Sequence, residues 1–246
     1  MKCTITIKQL SPNLWNLNEP WGESKEHFGH MTVAGAPHVD AYLVTGTKKA
    51  VLIDCMESFH TVPLHELLRT LTSLPIEVYF THGHGDHVGA ETANLLKAGY
   101  PMHLSLSDMD LMYSMANHFF GEIPSWMKST NFIDLHGGES IDLGECTLET
   151  FAVPGHTQGC ICFLDRKNHC CFTGDAFGTL ITGKSTLSCC TLDDFLHTVE
   201  NFEKWVNDDS CILYNGHAAN LNGPFWTIRD SRAKRRSFPK EIEKLF

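Results

Sequence analysis

Short apolar segments alternate with amphipathic ones along the chain, and together they predict a fold that contains both strands and helices. Apolar or alternating runs that are bounded by glycine, proline or polar residues are typical of β-strands. The predicted strands cover residues 4–8, 41–45, 50–54, 76–80, 102–104, 147–153, 159–164, 169–173 and 211–214. Apolar positions that recur every three or four residues favour helices. The predicted helices cover residues 63–71, 87–96, 107–121 and 192–206.

The order of these segments predicts a single domain with two similar halves. Each half contains several strands and at least one helix, and 246 residues are within the range of one compact domain. Residues 105–130 lie between the halves and are rich in methionine and aromatic side chains. They predict a helical insertion near the active site, with Ser107 as N-cap and Gly121 as its end. Thr191 or Asp193 is expected to cap the last helix.

Side chains that bind metals follow several of the predicted strands. The segment over 81–87 comes directly after the strand over 76–80 and holds three histidines and one aspartate. Three later strands each end in a glycine that is followed by a further histidine or aspartate. The complete set comprises His82, His84, Asp86, His87, His156, Asp175 and His217. Imidazole and carboxylate groups are preferred ligands of zinc-type ions, and four of them in one segment indicate a pair of metals.

The motif HxHxDH over 82–87, followed in order by histidine, aspartate and histidine at later strand ends, resembles the metallo-β-lactamase superfamily of hydrolases. The apolar run that leads to Asp54 resembles the early strand and aspartate of the same family. The resemblance extends from about residue 42 to residue 217. It implies an α+β fold, a four-layer αβ/βα sandwich of two mixed β-sheets with helices on the outer faces, and a site at one end of the sandwich.

The resemblance also implies how two metals share the ligands. His82, His84 and His156 would hold the first ion, Asp86, His87 and His217 the second, and Asp175 would bridge them. Asp86 is the expected catalytic residue, which orients the attacking hydroxide or passes a proton to the leaving group. Asp54 is expected to hydrogen-bond a ligating imidazole or Asp86. Zinc is the expected cofactor because no redox chemistry is required, although Fe²⁺ and Mn²⁺ suit the same ligands.

Such a site predicts a dinuclear metal-dependent hydrolase. Divalent metals lower the pKa of bound water from about 15.7 to about 7, so a metal-bridged hydroxide can attack a small ester, thioester, lactone or amide. Three alternatives stay open: a phosphodiesterase or nuclease with the same metals, an iron-dependent oxidoreductase similar to the persulfide dioxygenases, and a noncatalytic metal-binding module. The ligand set resembles that of glyoxalase II, although the sequence shows no glutathione-binding C-terminal domain.

The apolar insertion and the loop after Asp175 are the predicted walls of the substrate pocket. The candidate pocket residues are Met112, Phe119, Phe120, Trp126 and Phe177. Flexible methionines and flat aromatic rings suit an apolar acyl or aryl group. The same surface could instead pack on the domain or against a second subunit, so a homodimer stays an alternative. The weakly periodic stretch over 13–38 is predicted to be a long loop that forms another wall.

Charge and hydropathy restrict the class of partner. The chain has 19 basic and 29 acidic residues, a net charge of −10, which argues against binding to nucleic-acid phosphates or to an anionic membrane. No run of about 18 apolar residues could span a bilayer, and the start lacks the apolar core of a secretory signal. We therefore expect a cytoplasmic protein that acts on a small molecule and keeps its ten cysteines reduced and mostly buried. Five basic residues over 229–236 predict a solvated helix face or a site that captures an anionic part of the substrate.

Overall fold

Two β-sheets and seven α-helices make up the described part of the chain. The structure, a computed structural model, describes residues 4–20, 38–56, 61–182, 186–217 and 226–238. The first sheet contains β1 (Thr6–Ser11), β2 (Leu14–Pro20), β3 (His38–Thr45), β4 (Ala50–Ile53), β5 (Ile76–Tyr79), β6 (Met102–Leu104) and β7 (Ile133–Asp134). The second contains β8 (Ser140–Asp142), β9 (Thr147–Ala152), β10 (Ile161–Asp165), β11 (Cys170–Gly174), β12 (Ile212–Asn215) and β13 (Trp226–Thr227). The helices are α1 (Leu64–Leu71), α2 (Gly85–Val88), α3 (Glu91–Lys97), α4 (Met109–Phe120), α5 (Gly178–Thr182), α6 (Leu192–Val206) and α7 (Ile228–Ser237).

Both sheets contain antiparallel and parallel pairs. The first sheet has the order β1-β2-β3-β4-β5-β6-β7, in which pairs are antiparallel up to β4 and parallel from β4 to β7. The second has the order β13-β12-β11-β10-β9-β8, in which β11 and β12 are the parallel pair. Parallel neighbours have their carboxyl ends at the same edge of a sheet. The loops that follow β11 and β12 therefore leave the second sheet side by side.

Alternating side chains place each sheet between its partner sheet and a layer of helices. In β4, Val51 and Ile53 belong to the core between the sheets, together with Phe172 of the second sheet. Leu52 of the same strand belongs to the core that α1, α3 and α4 cover. On the outer face of the second sheet, Phe195 and its neighbours in α6 complete a third core. The order of layers is helix, sheet, sheet, helix, which confirms the predicted four-layer sandwich.

The predicted helices are present, and two of them are broken or begin later than predicted. The helix predicted over 87–96 is split into α2 and α3 at Gly89, whose φ of 49° is outside the right-handed helical region. The helix predicted over 107–121 is α4, which begins only after a 3₁₀ turn over Leu106–Asp108. Thr191 caps α6, because its side-chain oxygen accepts a backbone hydrogen bond in the first turn. None of the described helices is long and apolar enough to cross a membrane.

The stretch over 13–38 begins as a strand rather than as the predicted loop. Its first part is β2, which pairs with β1 and with β3. The polar residues Asn16 and Glu19 of this strand are buried. They interrupt the alternation of buried apolar and exposed polar residues that is typical of a strand. The sequence of β2 therefore lacks the period of two that is typical of a strand. Residues 21–37 lie outside the described residues.

The basic segment near the end of the chain forms most of α7, which packs against α6. The buried carboxylate of Glu203 in α6 accepts hydrogen bonds from two nitrogen atoms of Arg235, at 2.8 and 3.2 Å. Arg232 pairs with Asp209 and donates to the backbone oxygen of Glu203. Arg232 and Arg235 therefore hold α7 on the domain and are not a solvated face.

The cysteines of the described residues are free thiols. Those that are buried are Cys55, Cys146, Cys160, Cys162, Cys170, Cys171 and Cys211. Burial raises the pKa of Cys146 and of Cys211 to about 12, which keeps both thiols protonated and unreactive. Cys189 is exposed and Cys190 is half-buried. The expectation of mostly buried thiols is met in this part of the chain.

Candidate metal centre

The seven histidine and aspartate residues singled out by the sequence converge at one end of the sandwich. They come from four segments, which follow β5, β9, β11 and β12, and Asp86 and His87 are in α2 at the end of the first segment. Three overlapping groups have potential ligand atoms within 4.8 Å of one another. The groups are His82, His84 and His156; His82, His87 and Asp175; and Asp86, His87 and His217. The first and the last are the sets predicted for the first and the second ion.

Asp175 lies between the two predicted sets. Its Oδ1 is 3.6 Å from Nε2 of His87. Its Oδ2 is 3.3 Å from Nε2 of His217 and 3.8 Å from Nε2 of His156. One carboxylate therefore faces imidazoles of both sets, which is where a ligand that bridges two metals has to be.

His84 brings the imidazoles of the first set together. Its Nδ1 is 3.0 Å from Nε2 of His82 and 2.8 Å from Nε2 of His156. Three ring nitrogens from two different loops thus point at one place. Such a cluster suits a tetrahedral ion that takes nitrogen ligands.

Two glycines allow these loops to approach closely. A Cβ atom on Gly216 would lie 2.1 Å from Cε1 of His87. A Cβ atom on Gly174 would lie 2.2 Å from Oγ1 of Thr81, and this glycine also has a φ of 49°. No side chain fits at either position. The repeated pattern of strand, glycine and ligand therefore has a steric cause.

The outward nitrogen of three imidazoles has an oxygen partner. The pairs are His87 with the carboxylate of Asp54 (2.8 Å), His156 with the carbonyl of Thr186 (3.0 Å) and His217 with the carbonyl of His38 (2.6 Å). Carbonyl and carboxylate oxygens only accept, so Nδ1 of each ring carries the proton. Each Nε2 is left to face the centre, which is the orientation that a metal ligand requires.

One atom of the centre is placed as a metal ligand would be. Nε2 of His87 is buried and has no hydrogen-bond partner. A buried polar atom without a partner costs free energy. An ion shared with Asp175 and His217 would provide that partner, and the imidazole and carboxylate donors suit zinc, iron(II) or manganese. The residues present therefore fit a divalent metal.

The charges of the centre divide its histidines into two kinds. Burial and the neighbouring histidines lower the pKa of His84 to about 4 and hold the pKa of His82 well below its usual value. Burial also favours neutral His217, but the carboxylate of Asp175 outweighs it and raises the pKa to about 10. The pKa of His87 is raised for the same reason, since the attraction of nearby carboxylates exceeds the effect of burial. At neutral pH the first pair is ready to bind a metal, whereas the second pair must lose protons first.

Asp54 supports the centre through an imidazole and not through Asp86. Its two oxygens accept hydrogen bonds from N and Oγ1 of Thr81, at 2.7 and 2.8 Å. The same carboxylate lies 2.8 Å from Nδ1 of His87. Asp54 thus fixes both the start of the loop after β5 and the orientation of one imidazole.

Asp108 is a buried residue of the centre that the sequence did not reveal. Its Oδ2 accepts hydrogen bonds from N of Gly83 at 2.8 Å and from Oγ1 of Thr157 at 2.7 Å. Its Oδ1 accepts one from N of Gly159 at 2.7 Å. This carboxylate joins the loop after β5 to the loop after β9. An aspartate just before a helix normally suggests an N-cap, but this side chain makes no capping hydrogen bond.

The predicted pocket residues are found in different places. A cavity of about 240 Å³ lies beside the loop after β5. The predicted residues that line it are Met112, Phe120 and Trp126. The prediction for Phe177 is wrong: this ring is 1% exposed and packs against Phe202, because the chain after β11 turns into α5 within the helical layer. The side chain of Phe119 lies outside the described residues.

Comparison with known sequences identifies relatives of this chain. Residues 34–217 match the family model described as the Metallo-beta-lactamase superfamily. The mitochondrial persulfide dioxygenase ETHE1 of Mus musculus is 28% identical over 173 residues, which are 70% of this chain and 59% of that protein. The atrochrysone carboxyl ACP thioesterase of Claviceps purpurea is 27% identical over 208 residues, which are 82% of this chain and 58% of that protein. The chain thus spans less than two thirds of the length of either relative.

Solved structures share the four-layer architecture. BLEG-1 B3 metallo-beta-lactamase has a TM-score of 0.60 and 20% identity, with 81% of this chain and 94% of that chain covered. ETHE1 from Myxococcus xanthus has a TM-score of 0.56 and 20% identity, with 84% and 86% covered. TTHA1623, solved in a di-iron-bound form, has a TM-score of 0.57 and 22% identity, with 81% and 95% covered. With this shared fold and a family match over most of its sequence, the chain belongs to the metallo-beta-lactamase superfamily.

Proposed function

We propose that this protein is a hydrolase that uses two divalent metals, with zinc preferred, to cleave a small ester, thioester, lactone or amide. The observation that carries the proposal is the presence of two ligand sets on either side of Asp175. A catalytic site with one zinc usually takes three protein ligands and leaves the fourth position open. Seven ligands, one of which is a shared carboxylate, therefore favour two ions.

Each residue of the centre has a proposed role in metal binding or in catalysis. His82, His84 and His156 would hold one ion, Asp86, His87 and His217 the other, and Asp175 would bridge them. When bound, the metals would lower the pKa of a water molecule to about 7, so that hydroxide is available near neutral pH. Burial opposes ionisation of Asp86, but His87 and His217 lower its pKa to about 2. Asp86 is therefore an ionised acceptor that can orient the attacking water.

The class of substrate follows from charge and from one relative. A net charge of −10 disfavours the phosphates of nucleic acids, so we propose a small-molecule substrate. The Claviceps purpurea relative is an acyl-carrier-protein thioesterase that matches 82% of this chain, and it supports activity on acyl thioesters.

A second candidate is an iron-dependent oxidoreductase, which the 28% identity to the mouse persulfide dioxygenase supports. A mononuclear iron centre of oxygenases takes two imidazoles and one carboxylate and leaves positions open. His84, His156 and Asp175 offer such a set. The additional set around His87 and His217 is what favours the hydrolase.

Metal content is the first measurement that separates these candidates. Plasma mass spectrometry on protein purified without added metal should find about two divalent ions per chain, in keeping with a dinuclear hydrolase. The same preparation should cleave acyl esters or thioesters in a substrate screen. One iron per chain, with oxygen consumption in the presence of an alkyl persulfide and no hydrolysis, would contradict the hydrolase and favour the second candidate.

Substitution of Asp86 tests the proposed mechanism. Asp86→Asn should lower kcat by about 10²–10⁴-fold, because the amide cannot act as the ionised acceptor. Asp110→Asn, which changes an exposed carboxylate at the start of α4, is the matched control and should keep full activity. Circular dichroism checks that both variants are folded. Turnover by folded Asp86→Asn at the rate of the control would contradict the assigned role.

A further inference from the structure

The cavity beside the metal centre is built almost entirely from apolar groups. Its volume is about 240 Å³. Its walls come from the loop after β5, from one face of α4 and from the segment that follows α4. The residues that define these walls are Gly83, Val88, Met112, Ala116, Phe120 and Trp126. Neither a charged side chain nor a hydroxyl or amide side chain lines the cavity among the described residues.

The lining decides which ligand the cavity can accept. A charged group placed there would lose its contacts with water and would find no side chain of opposite charge in return. A hydrocarbon chain or an aryl ring would gain free energy from leaving water. Methionine is flexible enough to adapt to groups of different shape, and Met112 is at the centre of this wall.

The floor of the cavity is formed by the backbone of the segment that carries ligands of the metal centre. Gly83 and Gly85 line the cavity, and they alternate in sequence with His82, His84 and Asp86. α4 lies close to this backbone, since a Cβ atom on Gly83 would be 3.0 Å from Cγ of Met112. A chain that fills the cavity therefore contacts the backbone of the segment whose side chains include ligands of both predicted ions.

From this placement we infer that the cavity binds the apolar acyl chain of the substrate, with the scissile carbonyl at the metal centre. The inference rests on the hydrolase function proposed above and adds its substrate class, esters or thioesters of medium-length or aryl carboxylic acids. Phe120 forms the outer rim and is 72% exposed. An exposed aromatic ring next to an apolar cavity is a feature of ligand-binding sites. The acyl chain would cover it.

A chain-length series with the zinc-loaded full chain tests the inference. The substrates are p-nitrophenyl esters and thioesters of straight acyl groups from acetyl to decanoyl. For the native protein, kcat/KM should rise about fourfold for each added methylene until the cavity is full. A profile that does not depend on chain length would overturn the inference.

Substitutions in α4 test whether the dependence of kcat/KM on chain length arises in the cavity. Ala116→Phe fills the cavity and should remove the rise in kcat/KM with acyl chain length, while zinc content stays at the native value. Because Ala116 is buried, Phe120→Ser at the exposed rim provides a second variant, which should weaken only the longest chains. Ser114→Phe, at an exposed position of α4 outside the cavity, is the matched control. An equal loss for acetyl and long acyl esters in folded, zinc-loaded Ala116→Phe would overturn the inference.

Direct binding separates a failure of the acyl site from a failure of the hydrolase function. Calorimetry with the free carboxylates, acetate to decanoate, needs no turnover. If no ester or thioester is cleaved, the hydrolase fails, yet affinity that rises with chain length and is lost in Ala116→Phe still supports the acyl site. Affinity without such a trend overturns it. A dimer in sedimentation that Phe120→Ser dissociates, with no binding of decanoate, would assign the cavity to a second copy and also overturn it.

Discussion

Asp54 holds the imidazole of His87 from behind, and a conservative substitution can test this contact. The residue has a φ of 60°, a left-handed conformation that asparagine tolerates better than most residues. Asp54→Asn therefore keeps the backbone and removes the charge that faces Nδ1 of His87. We expect metal affinity to fall about 10–100-fold, measured by competition with a chromophoric chelator. Asp110→Asn is the control, and equal affinity in both variants would contradict a supporting role for Asp54.

Asp108 is expected to contribute to the stability of the fold, although no sequence motif marks it. It accepts three hydrogen bonds, from Gly83, Thr157 and Gly159, with both oxygens. Asparagine accepts with one terminal atom only, so Asp108→Asn leaves at least one buried donor unpaired. We expect a loss of about 1–3 kcal/mol in the free energy of unfolding, measured with urea on the metal-free protein. An unfolding midpoint equal to that of the Asp110→Asn control would show that the two loops do not depend on this carboxylate.

A functional residue can be predicted from the sequence when its neighbours along the chain mark it. The position of His217 is encoded next to its own strand and glycine, and the same holds for the other predicted ligands, so they could be found from the pattern alone. The partners of Asp108 are 25, 49 and 51 residues away, and no local feature separates it from a helix cap. Phe177 was misplaced because α5, and not its closeness to Asp175, decides which way the ring faces.

The contact between α6 and α7 can be tested by substitution of Glu203. Glu203 is buried and accepts hydrogen bonds from Arg235 and Ser231. Glu203→Ala leaves both donors without this acceptor, so we expect a loss of about 2–4 kcal/mol in the free energy of unfolding. Metal content should not change, because α7 contributes no ligand. Glu200→Ala removes an exposed partner of Arg235 on the same helix and should have much less effect; equal stability of the two variants would contradict the buried pair as the main contact.

The elements themselves were predictable where one period dominates. β5 and α6 have uniform apolar patterns, and their predicted bounds agree closely with the structure. β2 was missed because Asn16 and Glu19 are buried in a strand that pairs on both sides; the amide of Asn16 donates a hydrogen bond to the carboxylate of Asp40. The break between α2 and α3 at Gly89 follows from a backbone conformation that the sequence pattern cannot encode.

At the scale of the whole molecule, the metal centre joins the two sheets. The loop after β5 comes from the first sheet, and the loops after β9, β11 and β12 come from the second. Ions held by ligands from both sheets would link folding to metal binding, because the unfolded chain does not preserve the site. The charge state of the centre then controls how strongly the whole fold depends on its metals.

Proton release on metal binding tests this linkage. The folded pKa of His217 is about 10, above its ordinary value of about 6.5. In the metal-free protein, the proton on His217 therefore stabilises the fold fully below about pH 6.5, and this contribution is lost as pH rises through about 10.

A metal must displace that proton and the one on His87, whose pKa is also raised, so metal affinity should increase with pH over the same range. Calorimetric titration with zinc at about pH 7.5, in buffers of different ionisation enthalpy, should show about two protons released from His87 and His217 when both sites fill, besides the proton that a metal-bound water loses when it forms hydroxide. His82 and His84 are neutral at this pH and should contribute none. Binding without proton release would mean that His87 and His217 are already neutral, and that the carboxylates of Asp175 and Asp86 do not set the charge of the centre.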